Sequence, residues 1–385
     1  MVTPHRPMFL AGAAWAIVGV GIVGWDTGID LTHSPLGNRW AWHGHEMVFG
    51  FAAAMFAGYA LTAMPSWSSG ARMSSRSVAL LLMLWLLARL TAAGAFGTDP
   101  ALVAVGTAGF MGFVTLTLAC AALRPPSIKG AGFAAFALTM TCIQIAVLQG
   151  RAMPFLPVLG FAALLSVVGG RMVAAFTWNR LSCTAPYARR FNLAKLFGYA
   201  SAAALLVALI LDTFGIASNW VFAGLVVAAT TEAARLLIWL STDTFRDSLL
   251  NMLRLAYFWL PIGLLLVALS RADFGDPPDS AALHALTAGA ISCSIYAVAS
   301  RAVARRDNQL RPPLIDLVGF AFLSVAAAMR VFTPNDAQGY AVVPLIWCIA
   351  WAIFLLRHSA ALLHPEPRPV FSGPKRSTDG ESESA

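Results

Sequence analysis

The stretch Trp40-Ala41-Trp42-His43-Gly44-His45-Glu46-Met47 opens an apolar run that continues to Met64-Pro65. From Met47 onward this run carries no charged side chain. An apolar segment of about 20 residues is the length that crosses a bilayer core of about 30 Å as a helix. Comparable runs recur along the chain, whereas a transmembrane barrel would show alternating strands of only about 10 residues. The stretch therefore predicts a membrane-spanning helix with two imidazoles and a carboxylate at its start.

The composition extends this interpretation to the whole chain. Of 385 residues, 58% are hydrophobic and only 11% are charged, whereas soluble domains carry about 25% charged residues. We predict an all-α polytopic protein with about twelve transmembrane helices, whose partner is the lipid bilayer. The net charge of +8 needs no nucleic-acid partner, because excess Lys and Arg usually mark the cytoplasmic loops of membrane proteins.

The predicted spans divide the chain into one transmembrane domain, residues 1–363, and a tail, residues 364–385. The tail is rich in Pro, Ser and charge, and we expect it to be disordered and cytoplasmic. The five cysteines form no C-x-x-C pair, so neither a disulfide framework nor a zinc site is indicated. The predicted spans are 8–24, 40–64, 77–96, 101–122, 131–149, 155–177, 193–212, 217–240, 248–270, 280–303, 313–332 and 340–363.

The charges between the spans predict an orientation. Loops on one side hold most of the Lys and Arg, and loops on the other side hold most of the aspartates. Because basic loops stay in the cytoplasm, we expect both termini there. The basic set is Arg72, Arg76, Arg124, Lys129, Arg180, Arg189, Arg190, Lys195, Arg246, Arg305, Arg306 and Arg311, and the acidic set is Asp26, Asp30, Asp99, Asp273, Asp276 and Asp279.

This orientation brings three of the seven histidines to one depth. His43 and His45 lie at the outer end of span 2, and His284 lies one turn into span 10, again at the outer end. On a regular helix His43 and His45 are about 200° apart, so they cannot both face one ion. Either His43 sits in a non-helical start of the span, or the two have separate roles, for example with His45 pointing at span 10 and His43 elsewhere.

The side chains beside these histidines are of types that bind metals. Glu46 and Met47, three and four positions after His43, are roughly on its face. Imidazole is a common ligand of haem iron and copper, and a thioether suits copper(I). The alternative is a polar belt at the headgroup boundary beside Trp40 and Trp42. Because ionisable groups within spans are functional by default, we favour ligation, with spans 2 and 10 side by side and their imidazoles facing.

A second set of polar residues lies towards the inner side. Arg171 follows Gly169-Gly170 within span 6, and its guanidinium can either snorkel or bind a carboxylate such as a haem propionate. Glu232 and Arg235 are three residues apart in span 8, which is typical of a self-neutralising pair. Other in-span cations, which we expect to be paired or to snorkel, are Arg89, Arg254 and Arg301.

With these residues in place, the chain resembles the NnrS family of bacterial membrane proteins. The resemblance covers about residues 6 to 360, and the first and last of its long motifs are quite specific. The matching stretches include Arg6-Pro7, Trp42-His43-Gly44-His45-Glu46-Met47-Val48-Phe49-Gly50-Phe51, Gly169-Gly170-Arg171 with Phe176-Thr177 and Asn179, Leu255-Ala256-Tyr257-Phe258-Trp259-Leu260-Pro261, and Ala282-Leu283-His284-Ala285-Leu286-Thr287-Ala288-Gly289-Ala290-Ile291.

The NnrS family is described as twelve-span proteins that contain haem and copper and relieve nitrosative stress by protecting cells from iron–nitrosyl species. The resemblance thus implies a haem- and copper-binding protein of the bacterial cytoplasmic membrane, with nitric oxide or its iron adducts as ligand. The metal ligands it implies are His43, His45 and His284. Glu46, Met47, Arg171 and Asn179 are its supporting residues.

This chain departs from the family pattern at two histidines. Family members tend to have one in span 9 where this chain has Arg254, and another after span 10 where it has Arg306. Arginine stays protonated and cannot ligate a metal. The resemblance therefore implies haem more directly than copper for this chain.

Two other function classes fit a protein with this number of spans. A haem–copper oxidase or reductase needs in-membrane histidines for two haems and a copper, and the three well-placed ones do not suffice. A proton-coupled transporter needs only a titratable site in a cavity, and the His43/Glu46 cluster could serve as its coupling site. No catalytic reaction is assigned by the sequence.

Overall fold

The computed structural model describes residues 3–25, 27–68, 72–123, 126–150, 155–181, 185–215, 218–272, 279–303, 312–333 and 337–360. Within these residues, twelve helices are long and apolar enough to cross a membrane. They are α1 His5–Gly24, α2 Arg39–Ser66, α3 Ser75–Ala92, α4 Pro100–Ala122, α5 Ile128–Leu148, α6 Leu156–Asn179, α7 Arg189–Thr213, α8 Asn219–Trp239, α9 Ser248–Arg271, α10 Asp279–Arg301, α11 Leu314–Phe332 and α12 Ala341–His358. Three of them reach beyond these segments, as Ala185–Thr213, Ser218–Trp239 and Ala337–His358.

The predicted all-α polytopic fold is confirmed, and each predicted span overlaps the helix of the same rank. The predicted tail, residues 364–385, lies outside the described residues. The cytoplasmic placement of the termini stays a prediction. We therefore name the two ends of the bundle by their residues: the histidine end, where α2 and α10 begin, and the opposite end, where they finish.

Side-chain caps determine where several helices begin. Asn38 has extended backbone and accepts hydrogen bonds from the backbone nitrogens of Trp40 and Ala41, at 3.0 and 2.9 Å. Asp99 caps α4 in the same way, and Asp247 caps α9. Because a cap satisfies backbone donors that the first turn leaves free, the start of α2, and with it the position of His43, is defined by Asn38.

Helices α2, α9 and α10 form the centre of the bundle. The share of buried residues in the most apolar part of the span is 83% in α2, 72% in α10 and 67% in α9, against 22% in α7. Small residues allow α2 to approach its neighbours closely. A Cβ placed on Gly58 would lie 2.9 Å from the ring of Phe9 on α1, so the small-residue stripe of α2 serves close helix packing.

Within the described residues, three spans contain a π-helical stretch. These stretches are Glu46–Ala52 in α2, Leu165–Gly169 in α6 and Ala285–Ser292 in α10. Our sequence interpretation assumed regular helices and missed all three. Side chains bind carbonyls within them: Trp85 Nε1 donates to the Gly50 carbonyl at 2.8 Å, and Arg235 Nη1 donates to the Ser166 carbonyl at 3.0 Å. Since π-helical turns are rare and are frequent at functional sites, they direct attention to the residues around them.

Substitution of Gly50 tests the close approach at the π-helical stretch of α2. A Cβ on Gly50 would lie 2.3 Å from Arg89 Nη1 and 2.6 Å from the Trp15 indole. Because the indole and the guanidinium would have to shift, we expect Gly50→Ala to lower the free energy of unfolding by about 1–3 kcal/mol. Gly44→Ala is the matched control, since nothing lies within 4 Å of its Cβ. Thermal unfolding in detergent measures both, and equal stability of the two variants would contradict the packing account.

Candidate functional site

The first feature at the histidine end is a pair of imidazoles from α2 and α10. The ring centroids of His43 and His284 are 6.5 Å apart, and their planes are inclined by 15°. The two spans thus bring imidazoles together across the bundle as the sequence predicted. The partner on α2 is His43, however, so the orientation with His45 pointing at span 10 is wrong. His45 faces α5 instead, where the Gln144 amide nitrogen lies 3.2 Å from its Nε2.

Backbone carbonyls hold the two rings of this pair. His43 Nδ1 lies 3.1 Å from the Gly19 carbonyl of α1, and His284 Nδ1 lies 2.5 Å from the Ser280 carbonyl one turn earlier. A carbonyl only accepts, so Nδ1 must carry the proton in both rings. Neither Nε2 makes a hydrogen bond within the described residues. Neutral imidazoles fixed in this way present Nε2 lone pairs, which is how proteins orient histidines that bind metals.

Two further side chains lie close to the imidazole pair. The sulfur of Met47 packs on Gly19, 3.3 Å from where a Cβ would be, so it neighbours the residue that holds His43. Arg330 in the last turn of α11 places its positive charge near both imidazoles. The sequence interpretation missed Arg330. In the sequence, Arg330 is a cation in the last turn of an apolar span, a position typical of a residue that snorkels to the interface. Its proximity to the imidazoles depends on the packing of α11 against α10.

A second cluster next to this pair takes up His45 and Glu46. Arg89 Nη1 donates to Glu46 Oε2 at 2.7 Å, and His45 Nδ1 lies 2.9 Å from Glu46 Oε1. The Gln144 amide nitrogen lies 3.2 Å from His45 Nε2. All four side chains are buried. Because both ring nitrogens of His45 are engaged, this conformation leaves neither of them for a metal.

Aromatic rings surround the guanidinium of this cluster. The rings of Trp15 and Trp85 lie 6.0 and 5.8 Å from the Arg89 guanidinium carbon, which is favourable cation–π geometry. Both carboxylate oxygens of Glu46 are engaged, one by Arg89 and the other by His45. The expected His43/Glu46 cluster is therefore not formed: His43 belongs to the α10 pair and Glu46 to a chain of contacts that joins α3, α2 and α5. Gln144 was missed because a lone amide in an apolar span has no distinctive pattern.

The Glu232–Arg235 pair of α8 is confirmed as an ion pair and is also part of a larger network. Arg235 Nη1 lies 2.8 Å from Glu232 Oε2, and the hydroxyls of Ser166 and Tyr257 both donate to Glu232. Arg235 also binds the Ser166 carbonyl within the π-helical stretch of α6. A Cβ on Gly170 would lie 2.1 Å from Arg235. The network therefore joins α6, α8 and α9, and within it Arg235 Nε has no hydrogen-bond partner among the described residues.

The remaining predicted residues lie away from the histidine pair. Arg171 and Asn179 are exposed on α6. The charge of Arg171 acts on Tyr59, which follows His43 by 16 residues, about 24 Å along a helix. Arg254 is buried, and its Nη2 donates to the Trp239 carbonyl at 2.5 Å, so it caps α8. Arg306 lies outside the described residues. Among the residues that the structure describes, no group of three or more His, Cys, Asp or Glu could hold a metal ion.

The ion pair at the start of α2 yields a quantitative prediction. Removing one partner of a buried pair leaves an uncompensated charge, which costs about 3–5 kcal/mol. We expect Glu46→Gln and Arg89→Met each to lower the free energy of unfolding strongly, and the double variant to lose less than the sum. Thermal unfolding of the four proteins in detergent gives the coupling. Arg76→Met, at an exposed site on α3, controls for loss of a cation, and strictly additive losses would contradict the pairing.

Comparison with known proteins covers nearly the whole chain. A family model described as NnrS protein matches residues 1–366. Neither the curated proteins nor the solved structures contain a match. This match agrees with the motifs around His43 and His284 and with the number of membrane-spanning helices. The chain belongs to the NnrS family.

Proposed function

We propose that this protein is a haem-binding protein of the bacterial cytoplasmic membrane that protects against nitric oxide, with haem iron held by His43 and His284. One observation carries the proposal: two imidazoles from different helices are paired, each with Nδ1 on a backbone carbonyl, and no described residue forms a hydrogen bond with either Nε2. The role in nitrosative stress comes from membership of the family, as does the bacterial membrane.

The spacing of the two rings fits one metal ion between them. Metal–nitrogen bonds to imidazole are about 2 Å long. The 6.5 Å between the ring centroids leaves room for a metal ion bound by both rings, which are nearly parallel. His43 and His284 would hold the haem iron through their Nε2 atoms, and haem would supply an iron that binds nitric oxide.

The neighbouring residues have supporting roles in this proposal. Gly19 and Ser280 orient the ligands through their carbonyls, which also makes the Nε2 atoms more basic. The positive charge of Arg330 suits a carboxylate of the bound group. His45, with Glu46 and Arg89, positions the first turn of α2 and is not itself a ligand. Copper remains an expectation from the family, for which the thioether of Met47 is the suitable donor at this end.

A proton-coupled transporter is the second candidate. The observation that favours it is the buried contact between His45 and Glu46. The imidazole Nδ1 lies 2.9 Å from the carboxylate Oε1, a distance that permits proton transfer. The originally expected coupling residue, His43, lies outside this contact, so coupling would have to use Glu46 and His45. The other oxygen of Glu46 binds Arg89 at 2.7 Å, so both carboxylate oxygens are already engaged within the bundle. We therefore rank this function below haem binding.

The visible spectrum of the purified protein tests the proposal. We expect a Soret band that shifts with dithionite and with nitric oxide, and that is lost in His43→Ala and in His284→Ala because each removes an iron ligand. His33→Ala is the matched control, since its side chain at the same end is 89% exposed. His45→Ala should keep the band if the protein folds.

Two outcomes would contradict this assignment. A colourless wild-type protein purified with haem supplied during expression would rule out haem and favour the transporter. Loss of the Soret band in His45→Ala, with unchanged size-exclusion behaviour, would return His45 to the ligand set.

In cells, complementation with His284→Ala should fail to restore growth under a nitric oxide donor, whereas His33→Ala should restore it.

A further inference from the structure

A cavity lies between the central spans, further along α2 and α10 than the imidazole pair. It has a volume of about 110 Å³ and is lined by α1, α2, α5, α6, α9 and α10. Its wall is almost wholly apolar. The Tyr257 hydroxyl, one of the few polar groups along the wall, donates to Glu232 and accepts from Arg235 Nη1. This hydroxyl is therefore already engaged within the bundle, and the cavity offers little to a polar ligand.

All three π-helical stretches found in the described residues reach this cavity. Ala52, the last residue of the stretch in α2, lines the wall, and so does Ile291 of the stretch in α10. Leu165, Val168 and Gly169 of the stretch in α6 line it as well. Since π-helical turns are rare and are frequent at functional sites, three of them around one space indicate that this space has a function.

Two of these stretches also connect the cavity with the imidazole pair. The stretch in α10 begins directly after His284, and the stretch in α2 begins three residues after His43. Ile291 lies seven residues after His284, which is roughly 10 Å along a helix. Ala52 lies nine residues after His43, which is roughly 14 Å. The cavity wall and the proposed iron ligands are therefore at the two ends of the same stretches.

The size and the chemistry of the cavity define its ligand. A buried water needs roughly two to four polar partners, whereas an apolar cavity of about 150 Å³ stays dry and binds benzene or xenon. At about 110 Å³ the space suits an apolar molecule of a few heavy atoms. We propose that this cavity binds a diatomic gas, nitric oxide, and supplies it to the metal held by the imidazole pair. The capacity for a small apolar molecule follows from the cavity itself, while the identity of the gas rests on the proposed function.

Xenon binding by the full-length protein in detergent tests the cavity without any cofactor. We expect the NMR chemical shift of dissolved xenon to change with protein concentration. This change should fall severalfold in Ile295→Trp, because the larger side chain occupies the cavity. Leu164→Trp fills the same space from α6 and should act in the same way, so the test does not depend on the folding of one variant. Ile349→Trp, at an exposed position of α12 outside the cavity wall, is the matched control and also accounts for xenon in the detergent.

The rate at which nitric oxide combines with the haem-loaded protein tests the link to the metal site. In stopped-flow mixing, we expect Ile295→Trp and Leu164→Trp to slow this association severalfold relative to the wild type and to Ile349→Trp. The Soret band should be the same in all four proteins, because both imidazoles are unchanged.

The two readouts separate failure of this proposal from failure of the proposed function. Equal xenon shifts in the wild type and in both filled variants would overturn the cavity as a gas site. Unchanged nitric oxide association in filled variants that have lost xenon binding would overturn its supply to the metal. A colourless protein that binds xenon in the cavity would contradict haem binding and still support a site for a small apolar molecule.

Discussion

The arrangement of the histidine end depends on the buried ion pair between Glu46 of α2 and Arg89 of α3. A carboxylate with no solvent exposure inside a membrane bundle must be compensated where it lies. Arg89 reaches it at 2.7 Å only because residue 50 has no side chain, and Trp15 and Trp85 pack around the guanidinium. The pair fixes how α2 packs against α3, and the histidines next to Glu46 are placed accordingly.

This constraint separates two histidines that are neighbours in the chain. His45 contacts Glu46 and Gln144, so both of its nitrogens serve the bundle. His43 projects to the other side, where the Gly19 carbonyl holds its Nδ1 and the ring of His284 lies across from it. In α2 and α10 the residues after these histidines adopt π-helical turns. The wider turns leave carbonyls that side chains bind, and Trp85 does so at Gly50.

The two ends of the central spans carry different chemistry. At the histidine end, neutral imidazoles with available lone pairs are suited to a metal. Further along these spans lies a cavity whose wall is almost wholly apolar. Between them, the Glu232–Arg235 network joins α6, α8 and α9 and holds Tyr257 in the cavity wall. Arg254 is part of this framework, because it caps α8 through the Trp239 carbonyl.

The sequence alone determined the class of this protein. The length of a hydrophobic run must match the thickness of the bilayer core, so all twelve spans could be located from the sequence. The charge bias between spans put His43, His45 and His284 at one depth, and α2 and α10 do bring two of these rings together. Only the tertiary structure decided which two.

A hydropathy pattern gives the depth of a residue in the membrane but little information about the rotation of a helix about its axis, and this rotation depends on the neighbouring helices. The contacts of Arg89, Gln144 and Arg330 come from helices α3, α5 and α11, and the π-helical turns change the local register. These long-range contacts made His45 a partner of Glu46 and left His43 facing His284.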